Sequence, residues 1–330
     1  MTTISMRRRS VATLVALSIA MPFSAALAQD SAAISKPIRI IVPNAPGSSV
    51  DALARIIGSP LGKAMGQSAI VENVPGAGGV PGTAQIVKAA KDGTTLGMVS
   101  NNHAVNPSLY KTMPFDSIKD VTPITIIGGS PFVLVVNPSV PAKDMKELIA
   151  LAKAKPGTLN YGSSGNGTIL HLAGEAFKSE AGGLDIPHIP YKGTGQLTTD
   201  LLGGQVQLAF LGVTGVAQHI KSGKLRAIGV STRERAPILP EVPSLAEQGL
   251  ANYDLAGWIA LIGPAGLPQP LVAKLAAETK NVLATREVQD ALNAQGMKAV
   301  GSSPEAAAEF FQSEKDKYAR LVKESGAKLD

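Results

Sequence analysis

Ile124-Thr125-Ile126-Ile127-Gly128-Gly129-Ser130-Pro131-Phe132-Val133-Leu134-Val135-Val136 places two apolar β-runs end to end. Only Gly129-Ser130-Pro131 separates them, too few residues for a crossover helix. A second β-run, Trp258–Ile262, leads into the Pro/Gly-rich segment Gly263-Pro264-Ala265-Gly266-Leu267-Pro268. If the chain leaves one lobe at the first place and returns near the second, two strands join the lobes. A few residues there can absorb a closure motion, which makes a hinge.

Outward from these crossings, short β-rich runs alternate with longer helical patterns, the signature of α/β architecture. The runs 38–42, 69–73, 95–99, 124–128, 132–136, 159–161, 186–189, 206–211, 225–230 and 257–262 are predicted strands. Helical periodicity covers 50–65, 144–155, 169–180, 197–202 and 270–284, with a closing amphipathic helix over 304–324. No internal repeat suggests a solenoid. The expected organisation is lobe 1 from residues 29–130 plus 257–330 and lobe 2 from residues 131–256, with the ligand cleft between them.

The N-terminus carries a leader pattern. Arg7, Arg8 and Arg9 precede an apolar stretch from Val11 that ends in Ala26-Leu27-Ala28, a small-x-small site. Residues 1–28 therefore read as a signal peptide cleaved after Ala28, giving a periplasmic protein that is not membrane-embedded. The formal net charge is +6, and three of those charges are the leader arginines. The remainder is too small to suggest a nucleic-acid partner. The chain has no cysteine, which removes disulfides, thiolate catalysis and cysteine-based metal sites. A monomer is expected.

Three loops follow strands and open helices. Pro43-Asn44-Ala45-Pro46-Gly47-Ser48-Ser49-Val50-Asp51 is the first. Free N–H groups at a helix start attract carboxylate or phosphate, and Ser48 and Ser49 add hydroxyls. The same residues serve ordinary capping, with Ser49 as N-cap and Asp51 as a first-turn acid. Asn73-Val74-Pro75-Gly76-Ala77-Gly78-Gly79-Val80-Pro81-Gly82 is the second; Pro81 stands where a dinucleotide fingerprint needs its third glycine, so that reading is rejected. Tyr161-Gly162-Ser163-Ser164-Gly165-Asn166-Gly167-Thr168 repeats the logic of the first loop in the other half of the chain, with Ser163, Ser164 and Thr168 as donors. Two such helix starts facing each other would clamp an anion from both sides. Lys192, after Tyr191, is a candidate cation, and Asn101 ends the third strand in the same relative place as the first two loops. His103 beside it reads as a structural hydrogen bonder. Trp258, the sole tryptophan, sits at the return crossing.

Catalytic patterns are weak. The histidines at 103, 171, 188 and 219 lack metal-ligand spacing, and Gly162-Ser163-Ser164-Gly165 is one residue short of a nucleophile elbow. A Ser–His hydrolase of a small ester, using Ser163 or Ser164 with His171 or His103, is the alternative enzyme reading; no carboxylate completes the trio. The primary expectation is a binding protein with no catalytic residues, cofactor or metal.

Several stretches resemble the Bug family, the receptors of tripartite tricarboxylate transporters. They are Pro37–Pro43 with Asp51–Arg55, Val71–Gly79, Asn106–Tyr110, Tyr161–Gly165, His171–Glu175 and Pro190–Gly193, in the same order along the mature chain. The resemblance implies a two-lobed periplasmic-binding-protein fold of the hinged type (type II-like), an organic acid as ligand and membrane permease subunits as partners. The acids implied are di- and tricarboxylates, acidic amino acids and aromatic or pyridine carboxylates. Carried over residue by residue, it nominates Pro46, Gly47, Ser48, Ser49, Asp51, Gly76, Ala77, Ser163, Ser164, Gly165 and Thr168. Asn44, Asn101, Tyr191 and Lys192 complete the expected ligand set. The first loop departs from the family pattern in Asn44, where Phe is usual, and in Ser48, where a second Gly is usual. A ligand-sensing receptor for a signalling system is a further alternative.

Overall fold

The structure is a computed structural model that describes residues 34–327. The expected signal peptide and its cleavage after Ala28 lie outside the described residues. In chain order the strands are β1 Ile38–Val42, β2 Ala69–Asn73, β3 Thr95–Ser100, β4 Val121–Val136, β5 Tyr161–Ser163, β6 His188–Pro190, β7 Leu208–Gly212, β8 Arg226–Val230, β9 Ala256–Pro264 and β10 Lys298–Ala299. The helices are α1 Ser49–Ala64, α2 Val80–Val87, α3 Asn102–Leu109, α4 Met145–Ala154, α5 Ile169–Glu180, α6 Thr194–Leu202, α7 Val213–Lys221, α8 Gln269–Leu283, α9 Arg286–Ala294 and α10 Pro304–Ser325.

The sheet order is β2-β1-β3-β9-β4-β7-β5-β6, with β8 and β10 also paired to β4. Strands such as β1, with sequence IRIIV and almost wholly buried, are apolar on both faces because helices cover both sides of a parallel sheet. Apolar side chains at helical spacing do the covering: Leu53, Ile57 and Leu61 of α1 are buried against β1 and β3.

β4 joins the halves. Sequence reading placed two strands here with Gly129–Pro131 between them; the structure has one continuous strand. Its first part, Val121–Pro131, pairs antiparallel with β9, while Phe132–Val136 pairs antiparallel with β7 and β8. Gly129 and Pro131 do not break the strand because β9 lies alongside, and pairing continues to Pro131↔Ala256. The chain returns through β9. Leu255 still bonds to Ser231 in the second half, and Ala256 already pairs in the first, so the chain crosses just before Trp258. The Gly263–Pro268 run sits at the far end of the sheet, where Pro264 pairs with Val121.

Strand directions follow from these pairings. β1, β2 and β3 run parallel to one another, β9 opposes β3, and β4 opposes β9, so the first three strands run the same way as β4. β7 opposes β4, and β5 and β6 run with β7. The C-terminal ends of the two parallel sets therefore point toward each other along β4. Ser100 ends β3 opposite Ile259, itself opposite Gly128, while Gly212 ends β7 opposite Phe132. The closing helix α10 packs against α3 and β4 on one side and α5 on the other.

Candidate functional site

In an open α/β sheet, ligands bind at the carboxyl ends of the strands. Here the loops after β1 and β2 lie at the carboxyl ends of the first parallel set and the loop after β5 at that of the second, and these ends point toward each other along β4. Gly167, in the last of these, packs so closely on Leu109 at the end of α3 that a Cβ there would lie 2.7 Å from the leucine side chain. The two halves touch at this point.

The first loop is built around Asp51. Ser48, not Ser49, is the N-cap of α1: its Oγ accepts from the Asp51 N–H at 3.3 Å. Sequence position alone could not separate two adjacent serines, and the extended backbone of Ser48 decides it. Asp51 in turn reaches back, its Oδ2 accepting the Gly47 N–H at 2.9 Å, while Arg55 Nη2 lies 3.0 Å from Oδ1. The Gly47 hydrogen bond, with Arg55 adding to it, holds the Asp51 carboxyl below the usual carboxylate range. Gly47 was expected to offer its N–H outward, and that donor is instead turned inward. The N–H groups of Ser49 and Val50 keep no acceptor among the described residues. The neighbouring loop is locked onto this one: Asn73 Nδ2 donates to Asn44 O at 3.1 Å. Gly79, at φ +89°, lies so near Pro43 that a Cβ would sit 2.8 Å from the proline Cβ. Pro46, Gly76 and Ala77 are exposed, and Ala77 holds a positive φ of 43°.

The loop after β5 uses neutral partners. Thr168 caps α5, its Oγ1 accepting from His171 N at 3.4 Å and donating to Gly165 O at 2.8 Å. Ser163 was expected to face a ligand with its hydroxyl. The structure buries it completely, at 0% exposure, with Oγ 2.7 Å from His188 Nε2 and accepting the Gly165 N–H at 3.1 Å. His171 Nδ1 accepts the Gly167 N–H at 3.1 Å. Ser164 is half-buried and makes no hydrogen bond among the described residues; the N–H groups of Ser164, Asn166, Ile169 and Leu170 also lack acceptors there.

The remaining expected residues divide. Lys192 is exposed and forms no ion pair among the described residues. Tyr191 directs its hydroxyl to Asp200 Oδ2 at 3.0 Å. Asn101 was read as a ligand contact, but its side chain is consumed inside the crossing. Nδ2 donates to Tyr318 OH at 2.7 Å and to Ala256 O at 2.9 Å, and Oδ1 accepts from Trp258 N at 3.1 Å. Trp258 Nε1 donates to Glu314 Oε2 at 2.7 Å, which ties the crossing to α10. His103 is structural as expected: it is buried, Nε2 donates to Ser117 O at 2.7 Å, and burial pushes its pKa down to about 4. Sequence reasoning missed His188 as the partner of Ser163, because strand pairing (Tyr161↔His188) brings the two together across 25 residues.

A family model described as the tripartite tricarboxylate transporter family receptor matches residues 53–327. The chain belongs to that receptor family. BugT of Bordetella pertussis is 36% identical over 89% of this chain and 91% of its own length. Two solved structures from Rhodopseudomonas palustris are also similar. One, with adipate, is 30% identical with a TM-score of 0.76, covering 89% of this chain and 99% of that one. The other, MatC with bound malate, is 27% identical with a TM-score of 0.73, covering 87% of this chain and 99% of that one. Receptors of this family are periplasmic solute-binding proteins with the two-lobed fold, so the chain is a binding protein and the hydrolase reading is set aside. Of the two serines that reading named, Ser163 is buried away from any substrate. Among the described residues no helix is long and apolar enough to cross a membrane.

Proposed function

We propose that this receptor captures a small dicarboxylate between its two halves and delivers it to the permease subunits of a tripartite tricarboxylate transporter. One observation carries the reading: α1 and α5, from opposite halves, begin at the strand ends that point toward each other along β4, and each leaves first-turn N–H groups without acceptors. A helix start combines such donors with the positive end of the dipole, and two of them suit an acid carrying a carboxylate at each end. Ser49, Val50, Ala77, Ser164, Asn166 and Lys192 are the groups we assign to direct contact. Asp51, Ser163 and Thr168 hold the loops in shape, and Asn101 and Tyr191 support the surrounding frame. Adipate in one relative and malate in another support the choice of dicarboxylates.

On this reading the lobes are residues 29–130 plus 257–330 and residues 131–256, and export removes residues 1–28. A thermal-shift screen over carboxylates, starting with malate and adipate, tests the proposal. An acid present at about 100 times its Kd adds roughly 2.7 kcal/mol to folding stability. A flat response across mono-, di- and tricarboxylates would overturn it. Intact-mass measurement of the exported protein should give a chain beginning at Gln29.

A further inference from the structure

Behind the loop after β5 lies a group of side chains outside the expected ligand set. His171 and His188 stack with ring centroids 4.1 Å apart and planes 19° from parallel. The Tyr161 ring covers them, 4.8 Å from His188 and 6.4 Å from His171. Each imidazole holds the loop through one atom. His171 Nδ1 accepts the Gly167 N–H, so its ring proton sits on Nε2. His188 Nε2 holds Ser163 Oγ, which lies 3.0 Å from Gly165 O as well as accepting the Gly165 N–H.

We infer that His171 and His188 are positioning residues for the second-half ligand loop, shaping it only while both imidazoles are uncharged, so that acid loosens the loop and releases the carboxylate. The inference rests on the function proposed above. A proton added to His171 Nδ1 would set two donors, imidazole N–H and Gly167 N–H, against each other. Protonating both rings would place two cations at the stacking distance.

The surroundings give little to offset those charges. Glu175 Oε1 lies 4.0 Å from His171 Nε2, but that carboxylate already takes the Tyr161 hydroxyl at 2.5 Å and Lys178 Nζ at 2.8 Å. Lys178 adds a positive charge of its own. Tyr253 directs its hydroxyl to Ala173 O on the same helix, and the apolar Leu109 of α3 packs on Gly167. Arg320 and Glu324 of α10 line a cavity with Ser179 and Glu180, at the other end of α5. Asp200 of α6 is engaged by Tyr191. Burial lowers the pKa of both histidines, that of His188 to about 4.

The experiment compares the wild-type protein, His171→Asn and His188→Gln by calorimetric titration with malate and with adipate at pH 7.5, 5.5 and 4.0. The Asn oxygen can take the Gly167 N–H without titrating, and comparison at equal pH cancels protonation of the acid itself. Wild-type affinity should fall at least twofold more than that of His171→Asn between pH 7.5 and 4.0, and His188→Gln should also flatten the profile. Parallel losses in all three proteins would overturn the inference. If neither acid binds at pH 7.5, the choice of dicarboxylates fails separately, and the loop is then read without ligand. Amide exchange over residues 163–168 should quicken on acidification more in the wild type than in His171→Asn, and equal behaviour again overturns the inference. A circular-dichroism melt confirms folding of each variant, and either substitution alone suffices for the comparison.

Discussion

The loops that open α1 and α5 solve one problem with different chemistry. Each follows a parallel strand, turns through a glycine at positive φ (Gly47 at +80°, Gly167 at +71°) and starts a helix capped by a hydroxyl. In each, one inner N–H is folded back onto a side chain of the helix's first turn. The first loop gives it a buried carboxylate, Asp51, which Arg55 partly balances; the second gives it the neutral ring of His171. Equal backbone shapes therefore carry unequal fields. A negative charge already sits beneath the first helix start and opposes an incoming anion, whereas beside His171 the carboxylate is Glu175, one turn further along α5 and paired with Lys178. The first loop keeps its acceptor well into acid, and the second loses its acceptor at the pH where imidazole charges.

The broadest way to break this contrast is acid. His103, His171 and His188 have lowered pKa values when folded, those of His103 and His188 near 4, against about 6.5 for unfolded histidine. Between those limits the unfolded chain binds more protons, so stability should be flat above about pH 6.5 and fall as pH drops toward about 4. A melting series from pH 8 to 4.5 checks this, and a constant melting temperature would contradict neutral buried rings. Asp51→Ala should come next. It strands the Gly47 N–H and frees Arg55, costing about 1–3 kcal/mol in urea unfolding.

Gly47 sharpens the comparison further. A Cβ there would meet no atom within 4 Å, so the penalty for a side chain is backbone strain alone. Gly47→Val should cost about 1–2 kcal/mol, and Gly47→Asn much less, since Asn tolerates the left-handed region. Equal costs for the two would show that the loop had rearranged. The smallest effects belong to the caps. Ser48→Ala and Thr168→Ala should each cost about 1 kcal/mol of stability. Thr168→Ala should additionally change the ranking of acids in a binding screen, if the second half selects among them.

Much of this was legible in the chain. Apolar runs bounded by Gly and Pro marked the strands, because parallel strands buried on both faces carry no alternation to misread. β5 and β6 were misplaced by two residues, since three-residue strands are fixed by their neighbours rather than by their own composition. The three loops were found from strand–glycine–helix order alone. The inward turn of Gly47 was not, because Asp51 looks the same in sequence whether it faces solvent or reaches back. Asn101 shared that ambiguity: an Asn after a strand suits a ligand, but here Tyr318, 217 residues later, occupies it. Ser163 met His188 only through strand pairing, which periodicity cannot report.

The continuity of β4 has a mechanical meaning. At about 3.3 Å per residue, its 16 residues span about 53 Å and run unbroken from one half into the other. Beside it, β9 is hydrogen-bonded right up to Pro131↔Ala256, so neither strand can slide on the other without breaking the ladder. Such a pair acts as a torsion bar. Relative movement of the halves is restricted to bending and twisting about the bar, and the single tryptophan, Trp258, is mounted on it, bonded to Glu314 of α10. The molecule thus carries its own strain gauge, readable by fluorescence without a label.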